Sequence, residues 1–344
     1  MIVLGIESTA HTFGVSVVSE DPPFILSDIR RFYATKSGGI LPREASSFFS
    51  KIAGEAVREA VEKAGVSVRE IDAIAVALGP GMGPQLRVGA SVARALASYY
   101  SKPLVPVNHA VAHLEIARFT TGLLDPIALY VAGGNTAVVS YVAGRYRVFG
   151  ETLDIALGNL LDTFAREAGL APPYVIGGEH VVDAYARGGS YLKNLFPYVV
   201  KGQDVSFSGL LTAALKALKA GFRIEDVCYT LREIAYSSVV EVLERGLAHT
   251  EKREVTITGG VAASKVLVEK VRAMAELHGA EFKPVEARYA GDNAAMIALT
   301  GLFAFKSGLY MRDVKNAHIR QRWRLDDVDV PWYYSLPAAI IARR

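Results

Sequence analysis

Ile2-Val3-Leu4-Gly5-Ile6 leads into Glu7-Ser8-Thr9-Ala10-His11-Thr12, and Phe13-Gly14-Val15-Ser16-Val17-Val18 follows. Two β-rich runs joined by a short polar turn predict a hairpin whose turn offers backbone N–H groups and hydroxyls to an anion. The design recurs about 125 residues on, where Ile127-Ala128-Leu129-Tyr130-Val131 leads into Ala132-Gly133-Gly134-Asn135-Thr136 and residues 137–142 return. The recurrence suggests an internal duplication, with two related lobes and a turn of each facing a shared cleft.

Two further glycine turns join a strand to a helix. Residues 73–78 run into Gly79-Pro80-Gly81-Met82-Gly83-Pro84 and a helix over about 85–99. Val255-Thr256-Ile257-Thr258 runs into Gly259-Gly260-Val261-Ala262-Ala263-Ser264 and another helix. Strand, glycine loop and helix N-terminus form a geometry suited to phosphate. The 79–84 loop has neither dinucleotide-type glycine spacing nor a following Gly-Lys-Ser/Thr, so a simple tight turn is an equal reading of it. Apolar residues at helical spacing predict further helices over 42–64, 159–168, 208–220, 224–249 and 293–306.

In Asn108-His109-Ala110-Val111-Ala112-His113-Leu114-Glu115, the neighbours Val107, Val111, Leu114 and Ala117 recur at helical intervals. A helix here puts His109 and His113 on one face, where two imidazoles reach one ion. Ala110 stands where the protease motif His-Glu-x-x-His carries its general base, so a metal held here lacks that base. The alternative is a pair of surface histidines satisfied by solvent or backbone.

A length of 344 residues suggests about two domains and a sizeable core. The net charge of +3 permits a nucleic-acid partner without establishing one. Cys228 is the single cysteine, which excludes internal disulfides and thiolate metal clusters and fits a reducing interior. The start of the chain lacks a basic n-region and reads as a strand, not a signal peptide. No apolar run approaches the roughly 20 residues a membrane helix needs. These features predict a soluble cytoplasmic protein.

Strand-first lobes with crossing helices predict an α/β fold: two ribonuclease-H-like lobes of the actin/Hsp70/hexokinase (ASKHA) architecture around a nucleotide cleft. The expected division is 1–125 for the N-terminal lobe and 126–325 for the C-terminal lobe, with its last helices packing back on the first lobe. Residues 326–344 are expected to be a tail.

The ordered motifs carry a resemblance over nearly the whole chain. They are Leu4-Gly5-Ile6-Glu7-Ser8-Thr9-Ala10-His11-Thr12, Gly79 to Gly89, Asn108 to Glu115, Tyr130 to Thr136, Lys201 to Gly209, Thr258 to Ala263, Gly291-Asp292-Asn293 and Gln321-Arg322-Trp323-Arg324. The chain resembles the universal tRNA threonylcarbamoyladenosine transferases, in particular the archaeal and eukaryotic branch that supplies the catalytic subunit of the KEOPS complex. The resemblance implies transfer of threonylcarbamoyl from threonylcarbamoyl-AMP to N6 of the adenosine 3′ of the anticodon, in tRNAs reading ANN codons. It implies one metal, iron or zinc-like, on His109, His113 and Asp292, with Tyr130 as a further ligand. It places the adenine nucleotide on Tyr130, Val131, Ala132, Gly133, Gly134, Asp162, Gly178, Asp183 and Ser264, with Asn135, Gly259, Gly260 and Asn293 in support. The implied partners are the tRNA anticodon loop, a small atypical protein kinase/ATPase and a dimerising subunit, with no membrane.

The chain departs from the family pattern in places. Gly177-Gly178-Glu179-His180-Val181-Val182-Asp183 lacks the proline of Gly-Gly-Pro and is one residue longer, which puts the match at Asp183 in doubt. Ser264 replaces the usual Asn and has a shorter reach, so a helix N-cap is its competing role. Phe48-Phe49 stand where many members have histidines. His11, in a phosphate-type turn, is a candidate contact on the metal side. The alternatives to a transferase are a small-molecule kinase on the same fold, or a catalytically silent scaffold of the same complex.

Overall fold

The computed structural model describes residues 1–34 and 39–335. Its chain divides into two compact units. The first comprises Met1–Leu124, Val142–Tyr146 and Asp292–Arg344, and the second Asp125–Tyr141 and Arg147–Gly291.

The first unit holds a sheet of β1 (Ile2–Glu7), β2 (Thr12–Ser19), β3 (Ile25–Phe32), β4 (Ala73–Gly79) and β5 (Leu104–Asn108), in the order β3-β2-β1-β4-β5. The first three strands form an antiparallel meander, and β4 and β5 run parallel to β1 and to each other. The second unit repeats the plan. Its strands β6 (Ile127–Val131), β7 (Thr136–Val142) and β8 (Arg145–Glu151) precede Glu254–Thr258 and Glu281–Phe282, in the order β8-β7-β6 and then those two. Here too the hairpin partner is antiparallel, and the two later strands are parallel to the leading strand β6. The duplication thus extends from the two hairpins to whole sheets.

In the first unit, α1 (Pro42–Ala64) and α2 (Gly83–Tyr99) cover one face of the sheet, their small and apolar positions closing on β1, β2 and β4. The other face receives α3 (His109–Thr121) and the late helix Ala294–Lys306. The late helix is buried continuously from Ala294 to Ala304, so it needs apolar cover on every side. A Cβ on Gly5 of β1 would sit 2.4 Å from the backbone nitrogen of Ala298, and one on Gly301 would sit 2.3 Å from the Ala75 side chain. Helix and sheet therefore meet at backbone distance, which only glycine permits.

Residues 292–335, whose last helices were expected to pack back on the first lobe, lie in the first unit. Residues 326–335 are not a tail, because Val330, Trp332 and Tyr333 are buried. The reason is a buried ion pair on α3. Arg118 lies 3.2 Å from Glu115, donates to the carbonyl of Tyr333 at 2.9 Å and stacks its guanidinium 3.5 Å from the Tyr333 ring centroid. Tyr146 completes it by donating to Glu115 at 2.6 Å. A buried charge is retained only when paired and hydrogen-bonded, and here the chain end supplies the partners. Residues 336–344 of the expected tail lie outside the described residues.

The second unit carries α4 (Leu157–Glu167), α5 (Val181–Ala186), α6 (Ser208–Lys219), α7 (Ile224–Thr250) and α8 (Lys265–Leu277). Asp154 organises the approach to α6, accepting from the backbone nitrogens of Phe207 at 2.7 Å and Ser208 at 3.1 Å and from both serine hydroxyls, Ser206 and Ser208. Partial burial opposes ionisation, but these donors, Ser208 foremost, hold the carboxyl well below its usual range.

Two expectations follow. Gly5→Ala forces the late helix off the sheet and lowers stability by about 1–3 kcal/mol, the usual cost of overpacking, measurable by denaturant unfolding. Asp154→Ala lowers the melting temperature at neutral pH, and the difference from the parent chain shrinks in acid. A depressed folded-state pKa stabilises above the unfolded value of about 3.9, and that stabilisation is lost as pH falls through the folded value.

Candidate metal centre and nucleotide segments

β5 ends at Asn108, whose side-chain oxygen accepts from the backbone nitrogens of Ala110 at 2.9 Å and Val111 at 3.2 Å. That cap starts α3 at His109, so Val107 belongs to the strand and not to the helix its spacing suggested. The Asn108 amide also donates to the carbonyl of Trp323 at 3.1 Å, tying the helix start to the Gln321–Arg324 motif.

His109 and His113 are buried, which removes the reading as surface histidines. Their rings lie edge to face with centroids 4.7 Å apart. Both Nε2 atoms point at one oxygen, Asp292 Oδ1, at 3.5 Å from His109 and 3.3 Å from His113. The three donor atoms lie within 4.8 Å of one another, the only such group of three among the described residues. Asp292 is placed by the packing of the late helix, which begins two residues later. Asn293 caps that helix by accepting from the Met296 backbone nitrogen at 2.8 Å, so the cap is Asn293 and Asp292 is left to the site.

Two residues of the first hairpin complete the surroundings, and neither was singled out in the sequence. Glu7, fully buried, lies 2.9 Å from His109 Nδ1 and accepts from the Thr9 backbone nitrogen at 2.6 Å. The Thr9 hydroxyl donates to the same carboxylate and stands 3.2 Å from His109 Nδ1. The signal was present: an acid closing a buried strand before Ser-Thr is costly unless it has a partner.

Burial favours neutral imidazole, yet the carboxylates of Glu7 and Asp292 overcome it at His109 and push its pKa up to about 10. At His113 burial prevails and the pKa is lowered. Burial would raise the Asp292 carboxyl, but the positive charge and hydrogen bond of His109 hold it well below the usual range. Of the two imidazoles, His109 is therefore the one whose surroundings favour a proton. A carboxylate behind a histidine whose other nitrogen faces an open position is the usual outer arrangement of a metal-binding imidazole. Two imidazoles and a carboxylate match a first-row divalent metal and leave positions open, so the donor set fits such an ion.

The 79–84 loop, in contrast, is a packing element. Its Gly81 nitrogen donates to the Gln321 carbonyl at 3.1 Å and its Met82 nitrogen to the Thr9 carbonyl at 2.8 Å. Added Cβ atoms at Gly79, Gly81 and Gly83 would meet Arg320, Thr9 and Gln321 at 1.9, 2.8 and 2.4 Å. The tight-turn reading holds there.

In the second unit, Tyr130 and Val131 are buried on β6, and Ala132 starts a tight turn by donating to the Asn135 carbonyl at 2.8 Å. Gly133 and Gly134 are exposed, and an added Cβ at either would meet nothing within 4 Å. The same holds at Gly260, whereas Gly259 has φ +97° and lies against the Val131 carbonyl. Asp162, on α4, is paired with His180 at 3.1 Å. Gly178, at φ +83°, forms with Gly177 the turn between Val175–Ile176 and Glu179–His180. Asp183 is buried and receives Tyr236 at 3.1 Å and Ser264 at 2.7 Å. Ser264 also caps α8, accepting from Leu267 at 3.4 Å, so its cap role is present alongside its bond to Asp183.

A family model described as tRNA N6-adenosine threonylcarbamoyltransferase (TsaD) matches residues 25–299. A curated relative of that name from Aeropyrum pernix is 68% identical over 98% of this chain and 96% of its own. The chain belongs to this family. Another member, from Hyperthermus butylicus, is 61% identical over 96% of this chain and 91% of its own. Among solved structures, the activator of 2-hydroxyisocaproyl-CoA dehydratase from Clostridium difficile superposes with a TM-score of 0.53 at 13% identity, covering 90% of this chain and 97% of that one. The shared fold is the actin/Hsp70/hexokinase architecture. Family membership implies a divalent metal site, and a His-His-Asp group able to hold such an ion is present.

Asp292→Ala should abolish stoichiometric metal uptake and, by removing the partner of His109 and His113, also lower the melting temperature while the late helix keeps its cap. Asn293→Ala should retain metal and lose about 1 kcal/mol of stability with the cap. Elemental analysis beside a thermal melt checks both, and full metal content in Asp292→Ala would refute the ligand assignment.

Proposed function

We propose that this chain transfers the threonylcarbamoyl group from threonylcarbamoyl-AMP to N6 of the adenosine 3′ of the anticodon in tRNAs reading ANN codons. The observation that carries this is the intact His109–His113–Asp292 triad in a chain 68% identical to a transferase of that name. N6 attacks the carbamoyl carbon, the carbon–oxygen bond to the phosphate breaks, and AMP leaves while N6 loses a proton. The attacking amine is poorly basic because its lone pair is delocalised, so positioning counts for more than proton removal.

His109, His113 and Asp292 would hold a divalent metal, iron by the family pattern with zinc as the second choice, which would supply Lewis-acid stabilisation of charge on the donor's oxygens. Glu7 and Thr9 hold His109 by its Nδ1 and thereby fix the direction of its Nε2. On the second unit, Tyr130, Val131, Ala132, Gly133 and Gly134 take the adenylate, with Asn135, Gly259 and Gly260 shaping the turns. Support comes from the open space at Gly133, Gly134 and Gly260: no neighbour and no positive φ demands glycine there, whereas a phosphate close to the backbone does. Tyr130 also offers its phenol as a donor. Asp162, Gly178 and Asp183 serve the nucleoside, since ribose hydroxyls donate to charged acceptors. Ser264 acts through Asp183.

The partners proposed are the tRNA anticodon loop and KEOPS-type subunits, a small atypical protein kinase/ATPase and a dimerising subunit, working in the cytoplasm. Affinity for tRNA rests largely on phosphate contacts, and a chain of net charge +3 with no dense basic run needs added cations. No helix among the described residues is long and apolar enough to cross a membrane.

The test supplies threonylcarbamoyl-AMP and tRNA to the purified chain, with and without those partners, and digests the tRNA to nucleosides. The modified adenosine should accumulate only slowly with the chain alone and rapidly with the partners. Full turnover by the chain alone would remove the need for partners. No product under either condition would leave a scaffold in place of an enzyme.

A further inference from the structure

The segment where this chain departs from its family's Gly-Gly-Pro pattern builds a specific object. Gly177 and Gly178 take φ +60° and +83°, the pair of positive values that a two-residue hairpin turn of the primed type demands. The turn pairs Glu179 with Ile176 and His180 with Val175, and His180 then becomes the N-cap of α5. His180 Nδ1 accepts from the Val182 backbone nitrogen at 3.2 Å, so this nitrogen carries the lone pair. The hydrogen of the neutral ring is therefore on Nε2, which lies 3.1 Å from Asp162 Oδ1. The cap fixes the tautomer, and the tautomer makes the ring a donor to the carboxylate. Asp162 is 43% exposed, and no hydrogen bond from a described residue reaches its Oδ2.

We propose that His180 is a positioning residue: it holds the Asp162 carboxylate by one oxygen so that the other faces the ribose hydroxyls of a bound adenine nucleotide. This rests on the reading of Asp162 as a nucleotide contact. A terminal carboxylate torsion is broad and roughly two-fold, so an unrestrained Asp162 spends much of its time turned away. Fixing it beforehand removes that cost from binding.

Two substitutions separate the cap from the positioning. In His180→Asn the amide oxygen stands near the place of Nδ1, which keeps the cap and loses the reach to Asp162. In His180→Gln the amide nitrogen stands near the place of Nε2, which keeps the donor and loses the cap. The full chain is titrated calorimetrically with ATP and with 2′,3′-dideoxy-ATP, beside thermal melts. His180→Asn should weaken ATP by about three- to tenfold, one modest hydrogen bond's worth, with its melting temperature kept. It should also lose most of the parent's preference for ATP over the dideoxy analogue, which a purely structural role would not change. His180→Gln should melt earlier and keep that preference. Asp162→Ala is the control. If Asp162→Ala leaves ATP affinity and the preference unchanged, the nucleotide reading of Asp162 fails and this proposal with it. If Asp162→Ala weakens ATP while His180→Asn binds as the parent does, the nucleotide reading stands and His180 is only a cap.

Discussion

The site depends on one close approach. The late helix Ala294–Lys306 lies on β1 at a distance that leaves no room for a side chain at Gly5 or Gly301. That contact fixes where the helix begins, and Asp292 stands just before its cap. The hairpin from β1 to β2 meanwhile delivers Glu7 and Thr9, and the Asn108 cap delivers His109 and His113. Residues separated by as many as 285 positions thus meet because a helix and a sheet share a backbone-to-backbone seam.

The charges at the seam follow from burial. Two carboxylates, Glu7 and Asp292, flank His109 on its two nitrogens at 2.9 and 3.5 Å, with His113 beside them. Carboxylates held beside a buried ring without a compensating partner are costly. Against the opposing effect of burial, the carboxylates raise the pKa of His109 and so favour a proton there, while burial lowers that of His113. A divalent cation needs the neutral imidazole, so uptake of metal and loss of that proton are linked, and affinity falls as pH falls. The bond from Glu7 to Nδ1 holds the ring in one orientation.

Much of this was legible in the sequence because the relevant signals are local. Alternation and helical spacing placed α1 at residues 42–64 and β6 at 127–131 with no error, and most other elements within two residues. Two strands went unassigned: β3, with its Asp28-Ile29-Arg30-Arg31 run, and β8, with Arg145 and Arg147, whose charges break the apolar alternation. They are edge or near-edge strands whose pairing, not their own apolarity, defines them. The contact of the Arg118–Glu115 pair with Tyr333 left no trace for a related reason. Its energetics exist only after distant segments have closed around it, and spacing along the chain does not record that.

Glycine shows the same limit from the other side. Six glycines in two sets looked alike in the sequence, as loops able to take a phosphate. At Gly79, Gly81 and Gly83 the space a side chain would need is filled by Arg320, Thr9 and Gln321, and the amides of Gly81 and Met82 donate to protein carbonyls. At Gly133, Gly134 and Gly260 that space is open and the backbone is not in the left-handed region. Packing explains the first set completely and the second not at all. Open space alone does not mark a ligand, since Gly54 and Gly209 have it within helices; it is the place of Gly133, Gly134 and Gly260 in turns that follow buried strands that suits an approach to the backbone.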